Sequence, residues 1–483
     1  MNRTTEFTVP LKERQLFLDS HGVAYIKSLT RTMHQPEKKG AVIRSFDQHG
    51  VAVQQVILDP DRGIWKAWCS SPRDIRAVVA YWESDDGLHW RKPIVGQVEY
   101  HGSKENNLVS IDLGKSTGKF GPGAVVYDPN DPDPDRRYKC ALPPHGFGVS
   151  PDGINWTGFP TYVRNEDSYT FSLDEREGLF ILLMREGGHG DRRVILSTSS
   201  DFEHWTDPEL VFRADALDQE IARETIERHN QDPTLQAPEF SIPATYNAQA
   251  YWMKMFRYES HYIALPMMFY RSGEAPGDWE GFESLELSPP LQQRLANEGD
   301  WTGIHVIQLA CSRDLRNWER LGDRVPFIGP SKLGGGAYDT QGIYLHCQPI
   351  VHGNELWFYY TGARAYAIIS EDKPDQKAVC LAVLRRDGFM SLDSGNGHGT
   401  VTTRPFKVPD GRLSVNVDAA HGRLHVEVLE SNGDVVARSA PVIGDQPDTT
   451  VRWEDGDLFQ WIGREVSLRF HLRNARLFSY WLG

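Results

Sequence analysis

Cysteine is scarce in this chain. Five residues, Cys69, Cys140, Cys311, Cys347 and Cys380, stand among 483, with no C-x-x-C spacing between any two. An odd, scattered set excludes a disulfide framework and supplies no zinc-ligand pattern, so the thiols read as buried groups of a reducing, cytoplasmic compartment. Long apolar runs are missing too. The opening MNRTTEFTVPLKERQLFLD holds no signal-peptide core, and nowhere do about eighteen apolar residues follow one another, which excludes a helical membrane span. Basic charge is in deficit, with 52 Lys and Arg against 66 Asp and Glu for a formal net charge of −14. A nucleic-acid backbone or an anionic membrane surface repels such a chain at long range, whereas a neutral or cationic ligand does not.

What is present is the balance of a globular protein, 40% hydrophobic and 24% charged, in a chain too long for one ordinary core. One short pattern recurs. Ser84-x-Asp86-x-x-x-Trp90 returns as Ser150, Asp152 and Trp156, as Ser199, Asp201 and Trp205, and as Ser312, Asp314 and Trp318. Each copy follows a short apolar or β-branched run such as IRAVVAYW or RRVILST, which is a strand signal. Ser and Asp side chains bond backbone amides two residues on and so make a tight turn, after which the Trp plugs the gap between neighbouring sheets. The intervals are irregular but centre on the size of a propeller blade. A fifth, degenerate copy, LRRDGFMSLDSG, follows the strand WFYYTG. Five units predict an all-β fold, a five-bladed β-propeller over residues 1–400 whose inner strands converge on a central funnel. The bland alternative is a β-sandwich with recurrent Asp/Gly turns.

Two insertions interrupt the pattern. DALDQEIARETIERHNQ, from Asp215 to Gln231, carries Leu217, Ile221 and Ile226 on a thin apolar stripe and predicts a helix outside the blades, which points to a homo-oligomer contact. The second is GFESLELSPPLQQRLANEGDW. From residue 401 to 483 the alternation of Leu413, Val415, Val417, Leu424, Val426 and Val428, with a turn at Asn432-Gly433, predicts a small antiparallel β-sandwich.

Several segments, LFLDSHGVAYIKSLTRTMHQP, GSKENNLV, DPNDPDPDRRYKC, LRRDGFMSLD and VSLRFHLRNARLFSYWL, together resemble a bacterial group of glycoside-hydrolase-like proteins related to glycoside hydrolase families 32, 43 and 68. The resemblance spans essentially the whole chain. It implies a five-bladed propeller with a C-terminal β-sandwich, an active site in the funnel, and a carbohydrate substrate such as a fructoside, arabinoside or xyloside. Glycosidic cleavage needs two carboxyl groups flanking the scissile bond, and the resemblance implies that they sit near the starts of the innermost strands.

NEDSYTFSLD resembles the family's Arg-Asp-Pro strand start and places Asp167 at the sugar-orienting position, although Glu166 and Ser168 replace the flanking residues and a turn carboxylate is the alternative. Asp339 precedes an apolar inner strand and follows three glycines that let backbone approach a ligand. The family's Asn-Asp-Pro is absent from the first unit, where Val51, Ala52 and Val53 stand. Asp47 is the nearest carboxylate upstream, Gln54 and Gln55 interrupt the apolar strand, and Asp59 and Asp61 read as hairpin-turn residues. Where the family's general-acid Glu would open the fourth unit, Asn247 or Gln249 stands instead. Glu239 in the preceding insertion could reach the funnel, and Glu259 reads as a hairpin residue at the far end of the strand. REGGHGDRR clusters Arg185, His189, Arg192 and Arg193, which reads either as an anion site or as arginines paired with Glu186 and Asp191 on a solvated hairpin.

Three functions follow. A glycoside hydrolase acting on a furanoside or related small glycoside would use Asp47, Asp167 and Asp339 as its acids and Gln54, Arg185, His189, Arg193 and Gln249 as substrate contacts. With the usual nucleophile position apolar, inversion is the expected outcome. An inverting glycoside phosphorylase would bind phosphate on the Arg/His cluster, and a non-catalytic glycan-binding propeller would need no acids. No residue pattern calls for a cofactor or a metal-ligand set, and a structural calcium ion at the propeller axis is left open.

Overall fold

In the computed structural model the Ser-x-Asp turn is made four times in the same way. Ser84 Oγ accepts from the backbone N of Gly87 at 2.9 Å, Asp86 Oδ1 accepts from Leu88 and His89 at 2.8 Å each, and Trp90 Nε1 donates to Gly87 O at 3.0 Å. Ser150, Asp152 and Trp156 repeat these bonds, as do Ser199, Asp201 and Trp205. In the fourth copy Asp314 accepts from Arg316 and Asn317, and Trp318 donates to Leu315 O. The third residue after each Ser is left-handed: Gly87 and Gly153 at φ 74° and 78°, Phe202 and Leu315 at 68° and 67°. Phe202 is wholly buried, so core packing offsets the strain of a non-glycine residue there.

The structure describes residues 7–45, 50–72, 74–75, 77–114, 119–142, 145–164, 168–188, 190–285, 287–371 and 373–483. Five antiparallel sheets of four or five strands form the blades. Their innermost strands are Val53–Asp59 (blade I), Ala124–Tyr127 (II), Tyr169–Asp174 (III), Asn247–Tyr258 (IV), and Gly342–Tyr344 with Ile350–His352 (V). In blades I to IV the repeated turn joins the third strand to the outermost one. Blade V takes its outermost strand, Glu37–Ile43, from the start of the chain, and this strand pairs with Lys377–Arg385 and closes the ring. The fifth copy is degenerate because no outer strand follows it.

The tryptophans lie between blades, half-buried rather than sealed. Trp90 of blade I meets Tyr359 of blade V edge-on at 5.9 Å, Trp205 of blade III stacks on Phe147 of blade II at 5.1 Å, and Trp318 of blade IV packs against the core that blades III and IV share. Trp205→Ala is therefore expected to cost about 2 kcal/mol, below the ~3–5 kcal/mol of a fully buried aromatic. Denaturant unfolding checks this; unchanged stability would deny the inter-blade role.

The last sheet is a curled β-sandwich with its own core of Val415, Val417, Val426, Val428, Leu468 and Phe470 among others. Gln15–Leu16, Val23–Lys27 and Thr30–Met33 pair into the same sheet. Helix α1, Ala216–Gln231, begins on a capping box between Asp215 and Asp218. Leu217, expected on its buried stripe, is instead 48% exposed. The buried pair is Ala222 and Ile226, one turn apart, which enter the core shared by blades III and IV. Asp218 is held by Arg320, and Gln219 exchanges two hydrogen bonds with the backbone of Ala248, so α1 clamps the inner strand of blade IV. No helix among the described residues is long and apolar enough to cross a membrane.

Candidate active site

The channel between the inner strands has two ends. At their C-terminal ends lies a hollow of about 1010 Å³, lined by Tyr127, Arg176, Glu259 and Pro10–Glu13 among others. Three of the acids that line it, Glu13, Asp174 and Glu259, are committed to the fold, and Glu175 is exposed. Asp174 accepts from Tyr262 at 2.7 Å, Glu13 pairs with Arg176, and Glu259 sits in its hairpin, where burial pushes its carboxyl up, and accepts from the backbone of Arg14. Asp59, as read, caps its hairpin at Asp61 and Arg62, and it also binds Lys66 at 2.6 Å.

At the N-terminal ends, the upper mouth, blades III, IV and V bring together a different set. Arg185 ends the strand Leu179–Glu186, Arg192 precedes the strand Arg193–Ser199, and Gln249 and Tyr251 lie on the inner strand of blade IV. A bulge between Ala250 and Trp252 re-aims Tyr251. Both guanidiniums address its ring, Arg185 at 4.8 Å and Arg192 at 5.1 Å. Arg192 donates to Gln249 Oε1 at 2.8 Å, which leaves Gln249 Nε2 without a hydrogen-bond partner among the described residues. Burial pulls the Arg192 guanidinium below its ordinary value, and the charge of Arg185 adds to the effect.

His305, on the strand Asp300–Ile307, is wholly buried between Phe269, at 4.7 Å, and Tyr366, at 4.6 Å. Burial first, then the charges of Arg192 and Lys377, hold it far below its usual range, so the ring is neutral at neutral pH. Among the described residues neither of its nitrogens has a hydrogen-bond partner. Buried polar atoms without partners mark a place for water or ligand. Tyr344, at 4.9 Å from the His305 ring, continues the wall. Deeper in the channel Lys254 donates to Phe171 O at 2.6 Å and is pulled down to about 8 by burial; His346 is held at about 4, by burial and then by Lys254.

Glu239 does reach this end, as an anchor rather than a free acid. It accepts from Thr302, from Gln341 at 2.6 Å, and from the backbone of Tyr366 and Ala367. Asp300 binds the next amides, those of Ile368 and Ile369, at 3.0 and 3.1 Å. Together they fix the turn that carries Tyr366. Burial raises the Asp300 carboxyl to about 6 from 3.8. Its folded value lies above its unfolded one, so its stabilising contribution is full below about pH 4 and disappears as pH rises through 6, a loss on the order of 2–3 kcal/mol. Urea unfolding across that window should show a falling component that Asp300→Asn removes.

The candidates read from the sequence separate accordingly. Arg185 and Gln249 converge, joined by Arg192. Arg193 is drawn outward to Glu186 and Asp191, at 2.8 Å each. Gln54 sits in a bulge at the N-terminal start of the inner strand of blade I. Asp339 is 3% exposed and binds Lys38 of the closing strand at 2.7 Å and Tyr360 at 2.9 Å. Asp47, Asp167 and His189 lie outside the described residues. Sequence reasoning missed Tyr251, His305, Tyr344 and Tyr366; the nearest signal was an aromatic residue two positions beyond Gln249. Among the described residues no three His, Cys, Asp or Glu side chains are grouped to hold a metal.

No family model and no curated protein matches the chain. Solved structures with a similar chain path include a GH32 β-fructofuranosidase from Bombyx mori, at 9% identity over 94% of this chain and 93% of that one with a TM-score of 0.36. An N-acetylgalactosamine deacetylase from F. plautii is similar at 13% identity over 74% of this chain and 94% of its own, with a TM-score of 0.35. A β-1,2-mannobiose phosphorylase from Listeria innocua follows at 10% identity over 75% and 92%, with a TM-score of 0.33. The five sheets and the appended sandwich stand on this chain's own strand pairing.

Proposed function

We propose that the chain is a glycosidase that takes a furanoside or related small glycoside into the upper mouth of the propeller and cleaves it with paired carboxylates. The observation that carries this reading is the convergence of Arg185 and Arg192 on Tyr251, with Gln249 held by Arg192, beside His305 nitrogens that have no hydrogen-bond partner among the described residues. A sugar offers hydroxyl groups around an apolar ring face, and guanidinium, amide, imidazole and phenol groups are complementary to both. Asp167 and Asp47 are the acids we assign, with inversion as the outcome: one carboxyl protonates the leaving oxygen while the other activates water. Asp339, tied to Lys38 and Tyr360, positions the strand that brings Tyr344 to the site.

A second reading is favoured by the two guanidiniums on one ring. Bound inorganic phosphate would stand in place of water, with its oxygen attacking the anomeric carbon as the leaving oxygen takes a proton. Purified protein incubated with a panel of aryl furanosides and pyranosides, with and without inorganic phosphate, tests both. Aglycone release without phosphate, falling by several orders of magnitude in Asp167→Asn at unchanged melting, is expected. Release only with phosphate moves the assignment to phosphorolysis, and no release across the panel overturns both.

A further inference from the structure

The sandwich domain carries a second surface that the propeller site does not use. On its sheet, residues directly opposite one another share a face, and one face holds a basic cross-strand ladder. His398 stands opposite Arg473, and Arg473 opposite Arg423. In the next row Lys27 stands opposite Thr400, Thr400 opposite His471, and His471 opposite His425. The alternate residues Leu424, Val426, Phe470 and Leu472 point the other way, into the sandwich core. The face is hollowed, with a volume of about 700 Å³.

Like charges directly opposite on a sheet are destabilising. Glu427 relieves part of the ladder by accepting from His471 at 2.9 Å and from Arg438 and Arg469 at 3.3 Å each. That carboxylate is then spent. Among the described residues no Asp or Glu lies within ion-pair distance of Arg423 or Arg473, in a chain of net charge −14. At the edge of the same face, in the row of Thr402, Arg469 and Glu427, Tyr25 presents its ring 60% exposed.

We infer that this face binds an acidic oligosaccharide, with Arg423 and Arg473 on its anionic group and Tyr25 under a sugar ring. Paired guanidiniums match the geometry of a carboxylate or a sulfate ester. The hollow is the size of a few sugar units, and Arg423 and Arg473 supply locally the positive charge that the chain as a whole lacks. The inference deepens the proposed function by assigning the sandwich to hold a substrate or its parent polymer, and it rests on that reading only for its purpose, not for the binding itself.

Affinity electrophoresis of the full chain in gels containing polygalacturonate, dextran sulfate, uncharged dextran or DNA tests it. Retardation by polygalacturonate, by dextran sulfate or by both, with none by uncharged dextran or DNA, is expected; which polymer acts tells uronate from sulfate. The double variant Arg423→Glu with Arg473→Glu should lose at least about tenfold in affinity, Tyr25→Ala a smaller factor, and both should melt as the parent does. Aryl-glycoside turnover should be unchanged in them, so failure at the propeller site and failure at this face are read separately. Equal retardation of the charge-reversed variant, equal retardation by DNA, or no retardation by either acidic polymer overturns the inference.

Discussion

Arg192→Gln is expected to lower kcat/KM on an accepted glycoside by about 10²-fold, the effect of losing a charged hydrogen bond worth ~1.5–3 kcal/mol. The variant keeps a polar side chain next to Gln249 while removing the charge that faces Tyr251. Arg192→Lys restores the charge without the planar fork and should recover only part of the rate. A purely structural role predicts the reverse pattern, with melting lowered and kcat/KM unchanged per folded molecule. If phosphorolysis is the reaction, the loss should appear chiefly in the KM for phosphate.

Asp387→Ala should destabilise the protein by about 3–5 kcal/mol, because it removes one partner of a buried ion pair and leaves the other uncompensated. Asp387 is 0% exposed and accepts from Arg14 at 2.8 Å, Tyr258 at 2.7 Å, Ser479 at 2.6 Å and Asn416 at 3.1 Å. It thus ties the N-terminal segment, blade IV and the sandwich to one carboxylate. The Arg14 guanidinium, stacked on Trp481 at 3.6 Å, would keep only the half-exposed Asp448. Guanidinium unfolding measures the effect, and a loss below about 1 kcal/mol would show that the junction is held by packing instead.

Asp387 also shows where sequence reading succeeds and stops. The four Ser-x-Asp turns were legible because each is a local device, its hydrogen bonds closed within three residues of the Ser or Asp that makes them. The fifth copy could be seen as degenerate, but its Asp was recruited by residues from 29 to 373 positions away, which no local pattern announces. The closing strand Glu37–Ile43 was hidden for the same reason, since its partner is Lys377–Arg385. At α1 the helix was legible from its charge and apolar spacing, yet the docked face turns on Ala222, too small to register as apolar.

At the site, REGGHGDRR announced clustered cations without saying which would point inward. The third strand of blade III begins at Arg193, whose side chain leaves for Glu186 and Asp191, while Arg192, one residue earlier, enters the mouth. A one-residue change of face decides that difference. Tyr251 reached the site through a bulge, which alternation cannot foresee. The position of Glu239 before the fourth unit lets it reach the funnel, but its hydrogen bonds to the turn at Tyr366 are tertiary.

Ligand is expected to enter the upper mouth and not the hollow at the other end of the channel. The most direct measurement is a crystal structure of the protein soaked with the sugar released in the aryl-glycoside screen. Sugar density against the Tyr251 ring, with oxygens within hydrogen-bond distance of Arg192 and Gln249 Nε2, is the predicted result. Density in the lower hollow beside Arg176 and Glu259, with the upper mouth unchanged, would contradict the account.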